Sequence, residues 1–130
     1  MKLSRILCVE DNASLQFTLK TGLERYGFEV IMASNGIEAL TQFQTHLGEF
    51  SAILTDNEMP HMDGLEFIHS VREIGYKGRI VVMSGNFKPK DLMAYQSHAI
   101  SGFFHKPFDI GLLATMLLQT DSVGIAPTES

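Results

Sequence analysis

Five residues scattered through the chain could act together chemically: the adjacent acids Glu10 and Asp11, then Asp56, Ser84 and Lys106. Each stands within two residues of the end of a short apolar run. Asp11, Asp56, Ser84 and Lys106 are separated by 45, 28 and 22 residues, so no single helix or turn can gather them. They meet only if the runs are parallel strands whose carboxyl ends share one rim. Three carboxylates at such a rim repel one another. At about 5 Å and an effective dielectric near 20, each pair costs roughly 3 kcal/mol. A buried cluster of this kind needs a proton or a cation, and a hard divalent ion such as Mg²⁺ suits oxygen ligands and keeps several waters.

The elements needed to position these residues are legible in the hydropathy pattern. Apolar runs of strand length occur at 6–9, 30–33, 52–54 and 80–83, with a weaker one at 102–104. They lack polar alternation, as strands buried on both faces do. Helical spacing fills the gaps. Leu15, Leu19, Leu23 and Tyr26 precede Gly27, and Ile37, Leu40, Phe43 and Leu47 precede Gly48. Leu65, Ile68, Val71 and Ile74 follow Asp63, a candidate N-cap, and stop at Gly75. A weaker helical stretch covers 89–98 with Leu92, Met93 and Tyr95, and a last helix from Asp109 places Leu112, Leu113, Met116 and Leu117 on one side. Five β-α units in succession predict an α/β fold, a doubly wound parallel sheet with right-handed crossovers. In such folds the functional crevice lies beyond the carboxyl ends of the strands.

Composition narrows the function classes. The 130 residues suit one domain, expected over 1–121, with a small polar tail at 122–130. The formal net charge of −5 argues against direct nucleic-acid binding, which needs a basic face. Cys8 is the single cysteine, so neither an intrachain disulfide nor a thiolate zinc site can form, and a reducing, cytoplasmic setting is expected. No apolar run is long enough to span a bilayer, and no membrane association is expected. Cys8 itself reads as a small core residue. The histidines at 46, 61, 69, 98 and 105 show no i, i+3 or i+4 pairing on one helix, which argues against a transition-metal site.

The ordered set Val9-Glu10-Asp11-Asn12, Asn35-Gly36-Ile37-Glu38-Ala39-Leu40, Leu54-Thr55-Asp56-Asn57-Glu58-Met59-Pro60, Met62-Asp63-Gly64, Val82-Met83-Ser84-Gly85 and Lys106-Pro107-Phe108 resembles the receiver domain of two-component response regulators, including chemotaxis regulators. The resemblance runs from about Arg5 to Leu118. It implies a five-stranded (βα)5 flavodoxin-like sheet in strand order 2-1-3-4-5. It also implies that Glu10 and Asp11 hold Mg²⁺, with one oxygen of Asp56 and the backbone carbonyl of Glu58 completing the protein ligands. The other Asp56 oxygen becomes the phosphoacceptor. Lys106 supplies the cation beside it through a cis Lys106-Pro107 bond, and Ser84 donates its hydroxyl to the phosphoryl group. Phe103 takes the place of the switch aromatic, and the readout surface is the fourth helix, fifth strand and fifth helix, Tyr95 included. Implied partners are a sensor histidine kinase or histidine phosphotransfer protein, a downstream effector, and a second copy in a phosphorylation-dependent dimer. Glu58, two residues past the acceptor, and Asn86, two past Ser84, are expected to tune the lifetime of the phosphoryl group.

Other classes fit less well. A haloacid-dehalogenase-type phosphatase also uses a strand-end Asp, but its Asp-x-Asp-x-Thr motif is not Asp56-Asn57-Glu58-Met59-Pro60. A flavodoxin-like electron carrier needs a phosphate loop where Glu10-Asp11-Asn12-Ala13 would repel one, and no P-loop motif is present. The remaining alternative is a receiver-like interaction module that works without phosphorylation. Such a module is recognised by loss of an acid, the acceptor or the lysine, and here all are kept.

Overall fold

The five apolar runs pair as one parallel sheet: β1 (Arg5–Val9), β2 (Glu29–Ala33), β3 (Ala52–Asp56), β4 (Arg79–Ser84) and β5 (Gly102–His105). Their order is β2-β1-β3-β4-β5, as the resemblance implies. A computed structural model describes residues 4–59 and 61–118. The expected boundary at 121 and the tail at 122–130 lie outside the described residues. Between the strands run α1 (Ala13–Arg25), α2 (Gly36–Thr45), α3 (Gly64–Ile74), α4 (Pro89–Tyr95), which continues into a 3₁₀ turn (Gln96–His98), and α5 (Ile110–Leu118).

Side chains one step apart on a strand point to opposite faces, so each central strand feeds two cores. Ile6, Cys8, Leu54, Val81 and Met83 pack with Leu19 and Leu23 of α1 and Leu113, Met116 and Leu117 of α5. Leu7, Val9, Ile53, Ile80 and Val82 pack with Ala39 and Phe43 of α2, Phe67, Ile68 and Val71 of α3, and Tyr95 of α4. Burial pushes the Cys8 thiol pKa well above its ordinary range, so the cysteine is the inert core residue its surroundings suggest.

Helix starts follow from side-chain caps. Asn12, Asn35 and Asp63 accept from the N–H of Leu15, Glu38 and Glu66, and Asp63 with Glu66 closes a capping box. α3 stops where Gly75 adopts a left-handed φ of 114°. The helical stripes are narrower than the apolar spacing predicts. Tyr26 and Leu47 fall beyond the ends of α1 and α2 and are exposed, as are Ile37, Ile74 and Leu112. Leu112 flanks the buried stripe of Leu113, Met116 and Leu117 and faces outward.

Arg72, on α3, fastens the chain that leads into β5. Its Nε donates to the His98 carbonyl at 2.9 Å, one terminal nitrogen to the Tyr76 and Gly78 carbonyls at 2.8 and 3.0 Å, and the other to the Ala99 carbonyl at 2.9 Å. Burial lowers the guanidinium pKa, with Tyr76 opposing the shift. The Arg72 guanidinium also lies 5.6 Å from the centre of the Tyr76 ring.

At the opposite end of α3 the packing is tight against the end of β3. The Gly64 N–H donates to the Asn57 carbonyl at 3.0 Å, and a Cβ on Gly64 would stand 2.4 Å from the carbonyl oxygen of Asp56. Only glycine lets the helix start this close. Gly64→Ala is therefore expected to lower the unfolding free energy by roughly 1–3 kcal/mol, the usual range for overpacking. Urea denaturation monitored by circular dichroism measures it, and an unchanged midpoint would contradict the tight approach.

Candidate functional site

Parallel pairing carries the ends of β1, β3, β4 and β5 to one rim. Val9 pairs with Thr55, Asp56 with Met83 and Ser84 with His105. The ladder extends one step past the strands through Asn57 N–H to the Met83 carbonyl and Lys106 N–H to the Ser84 carbonyl, both 2.8 Å. Residues distant in sequence are thus fixed side by side by backbone hydrogen bonds. Glu10, Asp11 and Asp56 bring carboxylate oxygens within 4.8 Å of one another. Glu10 and Asp56 are buried, while Asp11 is exposed.

Lys106 answers part of this charge. Its Nζ donates to Glu10 Oε1 at 2.9 Å and to Asp56 Oδ2 at 3.1 Å, and the Lys106–Pro107 bond is cis. The other Glu10 oxygen, Oε2, accepts the Asn12 N–H at 3.0 Å, and Gln16 donates to the Glu10 carbonyl at 2.5 Å. Glu10 is therefore held from every side. Asp56 Oδ1 accepts no hydrogen bond among the described residues, which leaves one oxygen of this carboxylate open.

Three carboxylates face one ammonium, so negative charge is in excess. Burial and the adjacent Glu10 push the Asp56 pKa up to about 6, with Asp11 adding to the rise and Lys106 opposing it. Burial favours the neutral amine of Lys106, but its hydrogen bonds to Glu10 and Asp56 outweigh that, and its pKa is raised. All-oxygen donors, a surplus of negative charge and an open Asp56 oxygen fit a hard divalent cation.

Ser84 is buried at the end of β4, and its Oγ accepts the Asn86 N–H at 3.0 Å, which leaves the hydroxyl proton free to donate elsewhere. Asn86 itself is exposed, as is Glu58, whose side chain borders a cleft of about 320 Å³ shared with Lys88, Lys90, Asp91 and Tyr95. Phe103 is half-buried, its ring edge-on to Phe87 and Tyr95 at centroid distances of 5.4 and 5.8 Å.

Tyr95 corrects the reading from sequence. Only 1% exposed, it lies beneath the face that α4 and β5 present and is no part of their outer surface. Leu92 and Met93 are the large apolar residues that α4 exposes. The reason is polar as well as apolar: the Tyr95 hydroxyl donates to Asn57 Oδ1 at 2.5 Å, and the Asn57 amide reaches Asp91 Oδ2 at 3.4 Å. Burial, with nearby Asp63, Asp91 and Asp56, pushes the Tyr95 phenol well above its ordinary pKa, so it remains a donor. Asn57 follows Asp56 directly, and through it the end of β3 is joined to α4. Separations of 34 and 38 residues leave no local signal for this link.

The chain belongs to the response regulator receiver domain family, which it matches over residues 6–118. It is therefore a regulatory domain of two-component signalling. It is 34% identical over 122 residues to the peroxide stress-activated histidine kinase mak3 of Schizosaccharomyces pombe, a match covering 89% of this chain and 5% of that protein. It is 35% identical over 112 residues to the CAI-1 autoinducer sensor kinase/phosphatase CqsS of Vibrio cholerae, covering 84% of this chain and 16% of that one. The chain thus spans a small fraction of the length of these curated relatives. Among solved structures, the Vibrio cholerae chemotaxis protein CheY4 superposes with a TM-score of 0.82 at 28% identity, covering 89% of this chain and 97% of that chain. No helix among the described residues is long and apolar enough to cross a membrane.

Because the folded-state pKa of Asp56 lies above the ordinary carboxylate value of about 4, the folded chain holds this proton more tightly than the unfolded chain. The stability contributed by this group falls as pH rises from about 4 to about 6 and is level above that. In metal-free protein with EDTA, Asp56→Asn is expected to raise Tm at pH 7.5 by roughly 3–6 °C, and the gain should shrink as pH approaches 4. A pH-independent gain would show that the charge cluster is not its source.

Proposed function

We propose that the chain is a phosphoacceptor switch in which Asp56 takes a phosphoryl group from a phosphohistidine, on a sensor histidine kinase or a histidine phosphotransfer protein, in a Mg²⁺-dependent reaction. The observation that carries this reading is the buried Asp56 carboxylate with one oxygen held by Lys106 and the other open, beside two further acids. That one relative is named a histidine kinase and another a sensor kinase/phosphatase supports a histidine donor.

Glu10, Asp11, one Asp56 oxygen and the Glu58 carbonyl would hold Mg²⁺, whose charge offsets the surplus of carboxylates and screens the incoming phosphoryl oxygens. The other Asp56 oxygen attacks phosphorus. The O–P bond forms, the N–P bond breaks, and its electron pair leaves with the imidazole nitrogen, giving an acyl phosphate. Lys106 stabilises the added negative charge, and Ser84 turns its hydroxyl proton toward a phosphoryl oxygen. In doing so Ser84 draws in the loop that carries Asn86 and Phe87. Phe87 touches Phe103, and Phe103 touches Tyr95, so the change at the rim reaches the α4, β5 and α5 face through packed rings. That face, with Leu92, Met93 and Leu112 exposed, meets the downstream effector or a second copy of the chain. The chain catalyses only its own phosphorylation and dephosphorylation and works in the cytoplasm, on the kinase's side of the pathway.

Incubation with Mg²⁺ and acetyl phosphate is expected to add one phosphoryl mass to the wild type and none to Asp56→Asn, by intact mass spectrometry. Absence of modification in the wild type under conditions that phosphorylate a control receiver would favour the phosphorylation-independent interaction module instead.

Glu58 and Asn86 lie exposed at the mouth of the site, two residues past the acceptor and past Ser84. A carboxylate at 58 repels hydroxide and orients water differently from an amide. Replacing Glu58 with Asn is expected to change the dephosphorylation rate several-fold with little effect on Tm. An identical rate would remove Glu58 from the hydrolytic step.

A further inference from the structure

His69 on α3 and His98 at the end of the 3₁₀ turn are 29 residues apart, so their sequence spacing hides them as a pair. In the fold, Nδ1 of His69 lies 3.4 Å from Nε2 of His98, with the rings at 71° and their centroids 5.6 Å apart. That separation is long for a hydrogen bond to nitrogen, which prefers about 2.7–3.2 Å. It equals the edge of a zinc tetrahedron: two imidazole nitrogens, each about 2.0–2.1 Å from the ion, stand about 3.4 Å apart.

The far side of each ring faces oxygen. His69 Nε2 is 4.0 Å from Glu73 Oε2, and His98 Nδ1 is 3.4 Å from Ser97 Oγ. In the tautomers that carry the proton on these outer nitrogens, both inner lone pairs turn toward each other and the outer oxygens take the place that carboxylates and hydroxyls hold beside metal-bound histidines. A cation placed between two such lone pairs would satisfy both.

The pair is also held in place independently of its rings. Arg72 lies on α3 three residues after His69, and its Nε binds the carbonyl of His98 while a terminal nitrogen binds that of Ala99. One helix therefore carries one imidazole and clamps the backbone that carries the other. The His69 side chain is 62% exposed, so an ion and its waters can reach the site.

We propose that His69 and His98 bind a divalent transition metal of the zinc class, with water in the remaining positions. Imidazole is a poor ligand for Mg²⁺ and a good one for such ions. His98 precedes β5, whereas Lys106 follows it, so the site lies at the opposite end of the strand from the acidic rim. A bound ion would tie α3 to the segment that joins α4 to β5.

The test is zinc titration by calorimetry on the full chain carrying Asp56→Asn, in excess Mg²⁺ so that the rim does not compete. One equivalent of zinc is expected. His69→Gln and His98→Gln should each weaken binding about tenfold or more, a loss at least as large as outer partners alone produce, while His61→Gln should leave it unchanged. Nitrogen NMR of the histidine side chains should show zinc shifting His69 Nδ1 and His98 Nε2 together. Circular dichroism confirms that the variants remain folded. Equal zinc binding by the double variant His69→Gln/His98→Gln, or no binding by the parent at millimolar zinc, would overturn the proposal.

Discussion

The structure depends on one unequal arrangement of charge: three carboxylates gathered at the rim of a parallel sheet with, among the described residues, a single ammonium between them. Lys106 reaches Glu10 and Asp56 but cannot neutralise both and Asp11 as well. Removing charges from water is costly, and the attraction within a partly buried pair offsets that cost only with good geometry and full hydrogen bonding. Glu10 has that, with Lys106 and the Asn12 N–H on its two oxygens. Asp56 has half of it. The rim therefore remains under electrostatic tension, and any cation or proton that arrives relieves it.

The fold was largely legible because a parallel sheet buries both faces of its central strands, and buried strands show as unbroken apolar runs. Ile6 to Val9 and Ile80 to Met83 are such runs, and they are fully buried. Caps marked the start of α3 at Asp63 and its stop at Gly75. Less legible was how much of each helix faces the core. Apolar residues also sit on the surface, and Ile37, Leu47 and Leu112 carry the helical spacing without the burial.

The rim was legible for a different reason. Topology sends strand ends to one place, so acids, a serine and a lysine at successive strand ends meet without any local motif. Side chains that come together through helices have no such rule. Nothing about Tyr95 in sequence separates a surface aromatic from one whose hydroxyl is buried against Asn57, and nothing links Arg72 to the carbonyls of His98 and Ala99. Those contacts depend on how α3 and α4 settle on the sheet, which spacing along the chain does not encode.

The guanidinium of Arg72 places four of its five N–H donors on neutral backbone carbonyls rather than on a carboxylate. Salt screens ion pairs between surface charges, but it has little hold on hydrogen bonds of this kind. The segment between the 3₁₀ turn and β5 is thus moored to α3, while α4 is joined to the acceptor strand through Asn57. The end of α4 is thus tied to β3 through the Tyr95 hydroxyl, and the segment after it to α3 through Arg72, so two separate elements fix where the chain enters β5.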